Sequence, residues 1–133
     1  MNLEKYQEFV EKVTSKPSNE LSVFSEHFHS LAKETSVNLP LLLTGSLGLS
    51  SECGEFNEIV KKILFQGKPL NKDNIYHMKR ELGDILWYWV NACRSLNLNP
   101  NDVLMENIEK LQSRYPEGKF DDFYSENRKE NDL

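Results

Sequence analysis

Cysteine is scarce. The chain of 133 residues carries two, Cys53 and Cys93, far apart and in no C-x-x-C pair. That excludes a disulfide framework and a structural zinc site, and it suits a reducing compartment. Long hydrophobic runs are missing too. The longest, Ile85 to Val90, falls far short of the ~20 residues a membrane span needs. The opening residues, Met1 to Tyr6, lack the basic-then-apolar order of a secretion signal. Positive charge is in deficit, with 16 Lys and Arg against 21 Asp and Glu and a formal net charge of −5. No basic surface is on offer to a nucleic-acid polymer or an anionic membrane. The expectation is a small cytoplasmic protein that binds neither. An anionic ligand would need a cation to hold it.

The few Gly and Pro residues act as punctuation. Lys16-Pro17-Ser18-Asn19 separates a first polar helix, about Leu3 to Ser15, from a second segment, Glu20 to Glu34. Asn38-Leu39-Pro40 reads as a helix start, with Asn38 as cap and Pro40 in the first turn. Helical periodicity continues to Phe65, and Gln66-Gly67-Lys68-Pro69 closes it. A third long helix is expected from about Asn74 to Leu96, and a fourth from Asn101 to Arg114. No strand alternation and no repeat is visible. The fold class is all-α: a bundle of four to five helices in one domain over 1–118, followed by a polar tail, 119–133. Helices this short bury too little alone, so oligomerisation should complete the bundle.

Acids stand where apolar residues belong. At 100° per residue, Glu52 and Glu55 lie about 60° apart, on the arc of Leu41, Gly45, Gly48, Phe56, Ile59 and Ile63. The next helix repeats the pattern with Glu81 and Asp84, whose stripe continues through His77, Tyr88, Asn91 and Ser95. Beside it runs an apolar arc of Met78, Leu82, Ile85, Leu86, Trp89, Cys93 and Leu96. Antiparallel packing across the short Gly67–Asp73 loop would bring the two pairs face to face. Ionised carboxylates taken out of water need a partner. Hard divalent cations with all-oxygen ligands, Mg²⁺ or Mn²⁺, are the natural counter-charge. Surface acids in a different register are the alternative at this point.

Gly48-Leu49-Ser50-Ser51-Glu52-Cys53-Gly54-Glu55, followed by Glu81-Leu82-Gly83-Asp84, resembles the MazG-like nucleotide pyrophosphohydrolases of the all-α NTP pyrophosphatase superfamily. Asn107-Ile108-Glu109-Lys110-Leu111-Gln112-Ser113-Arg114-Tyr115-Pro116 looks like that family's C-terminal motif. The resemblance runs from about Leu42 to Gly118, with the motifs in order. One departure is Ser51, where many members carry a further Glu.

The resemblance implies Mg²⁺-dependent hydrolysis of a nucleoside triphosphate between its α and β phosphates, giving a monophosphate and pyrophosphate. It implies Glu52, Glu55, Glu81 and Asp84 as metal ligands and catalytic residues. Lys110, Arg114 and Asn107 then look like phosphate ligands, and Tyr88 and Lys62 are further substrate-binding candidates. A homotetramer built as a dimer of dimers is expected, a simple dimer being the variant of that reading. Two rivals stand beside it. A di-iron bundle needs two E-x-x-H pairs, and only Glu26-His27-Phe28-His29 offers one. A non-catalytic helical interaction protein would have no reason to set acids in an apolar stripe.

Overall fold

The structure is a computed structural model and describes residues 2–128. Among the described residues there are seven helices and no strand: α1 Leu3–Val13, α2 Lys16–Asn19, α3 Leu21–Glu34, α4 Leu39–Phe65, α5 Lys72–Ser95, α6 Pro100–Arg114 and α7 Asp122–Glu126. The fold is all-α. The long helices start on asparagine caps. The Asn38 side chain accepts from the Leu41 N–H at 3.1 Å, and Asn71 accepts from the Asn74 N–H at 3.0 Å. Each cap satisfies an N–H that the helix itself leaves without a partner.

The turns are equally specific. Gly67, at φ +71°, lets the chain double back so that the Lys68 N–H reaches the Lys62 carbonyl at 3.1 Å, sealing the end of α4. Asn97, at φ +58°, turns the chain after α5 and donates from Nδ2 to the Ser36 carbonyl at 2.9 Å. The Asn38 N–H donates to the Ser95 carbonyl at 2.9 Å, so the start of α4 is stitched to the end of α5.

Packing is concentrated in the α4–α5 hairpin, the most extensive helix pair in the chain. Two glycines let these helices approach. A Cβ on Gly45 would lie 3.0 Å from the Ala92 nitrogen, and one on Gly48 would lie 2.0 Å from Tyr88 Cε1. Tyr88 therefore occupies the space that a side chain at position 48 would need. The two residues fix which turns of α4 face which turns of α5.

Elsewhere the chain is open. α2 packs on α3, α6 touches α5 only sparsely, and α1 forms no packed interface with another element. Ile59 and Cys93 are the buried hydrophobic residues among those described, joined by buried Glu81, Asn91 and Ser95. The apolar arc expected on α5 is buried at Cys93, whereas Leu82, Leu86 and Leu96 stay exposed.

Several boundaries differ from expectation. The break at Lys16–Asn19 is itself a helical turn, since Pro17 sits in the first turn, where its missing N–H is no loss. The tail carries the short α7, capped by the Asp121 carboxylate accepting from the Phe123 N–H at 2.8 Å. The last five residues of that tail, 129–133, lie outside the described residues.

Candidate active site

The glycine seam sets the position of the acids. One turn beyond Gly48, α4 presents Glu52, and a further turn presents Glu55. Opposite them α5 presents Glu81. Carboxylate oxygens of Glu52, Glu55 and Glu81 all lie within 4.8 Å of one another. Glu81 is buried, Glu52 is half-buried and Glu55 is exposed, so the group opens to solvent on one side. Asp84 is exposed and falls outside this trio. It comes three residues after Glu81 on a shorter side chain, turned about 60° from it. Its charge still reaches Glu52.

Electrostatics mark the cluster as short of positive charge. Loss of solvent pushes the Glu52 carboxyl above the usual carboxylate range. Repulsion from Glu55, a hydrogen bond with Glu81 and the charges of Asp84 and Glu81 push it the same way. Glu58, three residues beyond Glu55, shows the opposite. Ion pairs with Lys61 and Lys62 hold its carboxyl low.

Glu81 has one more partner, absent from the expected site. His77 Nε2 lies 2.9 Å from Glu81 Oε1, one turn back on the same helix. Its i,i+4 spacing was legible, but nothing in the sequence distinguished it from any other stripe residue. His77 also lines a cleft of about 180 Å³ beside the acids, with Glu55, Glu58, Ile59, Lys62 and Lys68. Lys62 is thus at the edge of the site, with its Nζ 3.2 Å from Glu58.

Tyr88 lies in the seam one turn beyond Asp84, its ring against Gly48 and edge-on to Trp87 at 4.8 Å between centroids. Asn107, Lys110 and Arg114 sit together on α6. The lone E-x-x-H pair forms no metal cluster with other described residues. His29 Nδ1 instead lies 2.6 Å from the Ser25 carbonyl of its own helix.

A hydrophobic seam that ends in three converging carboxylates is a poor structural core and a suitable cation cradle. Every donor is a carboxylate oxygen, the set that Mg²⁺ and Mn²⁺ prefer. The chain matches the MazG nucleotide pyrophosphohydrolase domain over residues 43–119, which spans α4, α5 and α6. It belongs to that family. It is also similar to the Gene 37 protein of Mycobacterium phage L5, with 35% identity over 74 residues. That alignment covers 55% of this chain and 65% of the phage protein's length. No solved structure matches the chain. No helix among the described residues is long and apolar enough to cross a membrane.

Proposed function

We propose that this protein is a Mg²⁺-dependent nucleoside triphosphate pyrophosphohydrolase acting on a cytoplasmic nucleotide pool. Water adds to a phosphorus at the α–β bridge and the bridging P–O bond breaks, yielding a nucleoside monophosphate and pyrophosphate. The observation that carries this reading is the convergence of Glu52, Glu55 and Glu81 within 4.8 Å in a chain of the MazG family. These three, with Asp84 at the rim, would hold the cation. When bound, the cation neutralises the acids, polarises the phosphate and acidifies water.

The residues of the chain do the rest. Glu52, whose carboxyl is raised above the usual carboxylate range by lost solvent and the adjoining acids, is suited to accept a proton from the attacking water. Lys110 and Arg114 bind phosphate oxygens, with Arg114 able to fork onto two of them. Asn107, Lys62 and Tyr88 contact the phosphates or sugar. The protein works as a homo-oligomer, a tetramer of paired dimers.

A panel of ribo- and deoxyribonucleoside triphosphates with Mg²⁺ tests the reading, scored for pyrophosphate against orthophosphate. Pyrophosphate with an equal amount of monophosphate is expected. Orthophosphate alone would show that a different bond is cut and overturn the assignment.

A further inference from the structure

Of the three converging acids, Glu81 is the one the fold has taken furthest from water. It is 6% exposed, while Glu52 is half-buried and Glu55 exposed. A carboxylate in such a place needs hydrogen-bond donors. His77 supplies one, with its Nε2 2.9 Å from Glu81 Oε1. Both the neutral Nε2–H tautomer and the imidazolium can donate there, so the contact does not depend on the charge of the ring.

An ordinary surface pair looks different. Glu58, Lys61 and Lys62 are all about half exposed, and pairs of that kind contribute little. The His77 side chain is 53% exposed, but it reaches a carboxylate that is buried. The order of the two residues, with the acid on the C-terminal side, is also the less favourable one for a helix. Helix stability therefore gives little account of the contact.

What the contact does is fix a direction. An ionised carboxylate only accepts hydrogen bonds, and it has about four lone-pair sites for them. The His77 N–H takes one on Oε1, which hinders rotation of the carboxylate and leaves the rest for the group shared with Glu52 and Glu55. His77 itself lies outside that group. Its influence on the site runs through Glu81.

We propose that His77 is a positioning residue, holding the buried Glu81 carboxylate in the orientation in which it joins Glu52 and Glu55 around a divalent cation. The proposal rests on the metal-dependent reading of the site and adds to it a residue that touches neither cation nor substrate. Outer partners of this kind commonly set metal affinity by about 10- to 100-fold.

Titration calorimetry of the full chain with Mn²⁺ alone tests the proposal on His77→Leu and His77→Gln. Leu donates nothing, whereas Gln keeps an N–H donor. His77→Leu should weaken Mn²⁺ binding by about 10- to 100-fold, and His77→Gln should recover most of that loss. Helicity and the melting temperature in chelator should stay near the parent's in both, because a half-exposed ring leaves no cavity behind. In steady-state kinetics His77→Leu should need more Mg²⁺, with most of the turnover returning at saturation. Equal Mn²⁺ affinity in His77→Leu and parent would overturn the proposal, as would a His77→Gln protein as weak as His77→Leu. Pulsed electron paramagnetic resonance of bound Mn²⁺ should show no nitrogen coupling. Coupling in the parent that vanishes in His77→Leu would make His77 a ligand and overturn the positioning role. A parent that binds Mn²⁺ but cleaves no triphosphate would count against the pyrophosphohydrolase reading alone, and the calorimetry would still decide His77. A parent without Mn²⁺ affinity would overturn both.

Discussion

Glu52 couples the stability of the fold to the chemistry of the site. Its carboxyl is raised above the usual range by lost solvent and by neighbouring acids, so folding favours the protonated form. Stability associated with this group is present at acid pH and lost as pH rises through the raised value. In metal-free protein, Glu52→Gln should therefore raise the melting temperature at neutral pH and flatten its decline between mildly acid and neutral pH. Added Mg²⁺ should reverse the order, since the parent then gains more by ligand binding to the native state. Thermal scans with chelator and with Mg²⁺ measure both effects. Asp84 poses a separate question because it stands outside the trio while its charge reaches Glu52. Asp84→Asn should lower turnover by ~10²-fold or more if that carboxylate ligates the cation. Equal turnover and an equal thermal response to Mg²⁺ in both proteins would identify it as a rim charge with no part in the site.

At the scale of elements, the α4–α5 hairpin holds the acidic cluster and the glycine seam holds the hairpin. Gly48→Val would drive its side chain into the Tyr88 ring, and overpacking of this kind costs roughly 1–3 kcal/mol. The expected outcome is a lower urea midpoint and Mn²⁺ affinity weakened beyond what stability alone explains, read by titration calorimetry. Much of this hairpin was legible. Asn38 and Pro40 announced the start of α4, Gln66-Gly67 its end, and acids three apart on an apolar arc gave the facing stripes. What the sequence could not show was how α6 lies. Periodicity reports which face of a helix is apolar, not which neighbour covers it, and Leu104, Ile108 and Leu111 would read identically against either chain. His77 was illegible for a related reason: a histidine one turn from a glutamate is common, and only burial of Glu81 makes the contact matter. On α6, Lys110→Ala and Arg114→Ala should each weaken substrate use by roughly 1.5–3 kcal/mol, the value of a charge-assisted hydrogen bond. Metal binding should stay near the parent's, and steady-state kinetics beside Mn²⁺ calorimetry checks both.

For the whole molecule, Ile59 and Cys93, the buried hydrophobic residues among those described, are a small set to hold a chain of this length by themselves. If the proposed oligomer supplies the remainder, the melting temperature should climb as protein concentration is raised. Scanning calorimetry across a hundredfold range of dilution gives the test, and a constant midpoint would mean that the single chain is self-sufficient. The same openness has a consequence for the living cell. A lone copy presents Leu43, Leu47, Leu86 and Trp87 to the surrounding proteases and chaperones, and an oligomer that covered them would hide them. Newly made chains would then be discarded quickly until they found one another, and lifetime would lengthen as they accumulated. The amount of protein retained should then rise more steeply than its rate of synthesis, which would make assembly a threshold on gene dosage.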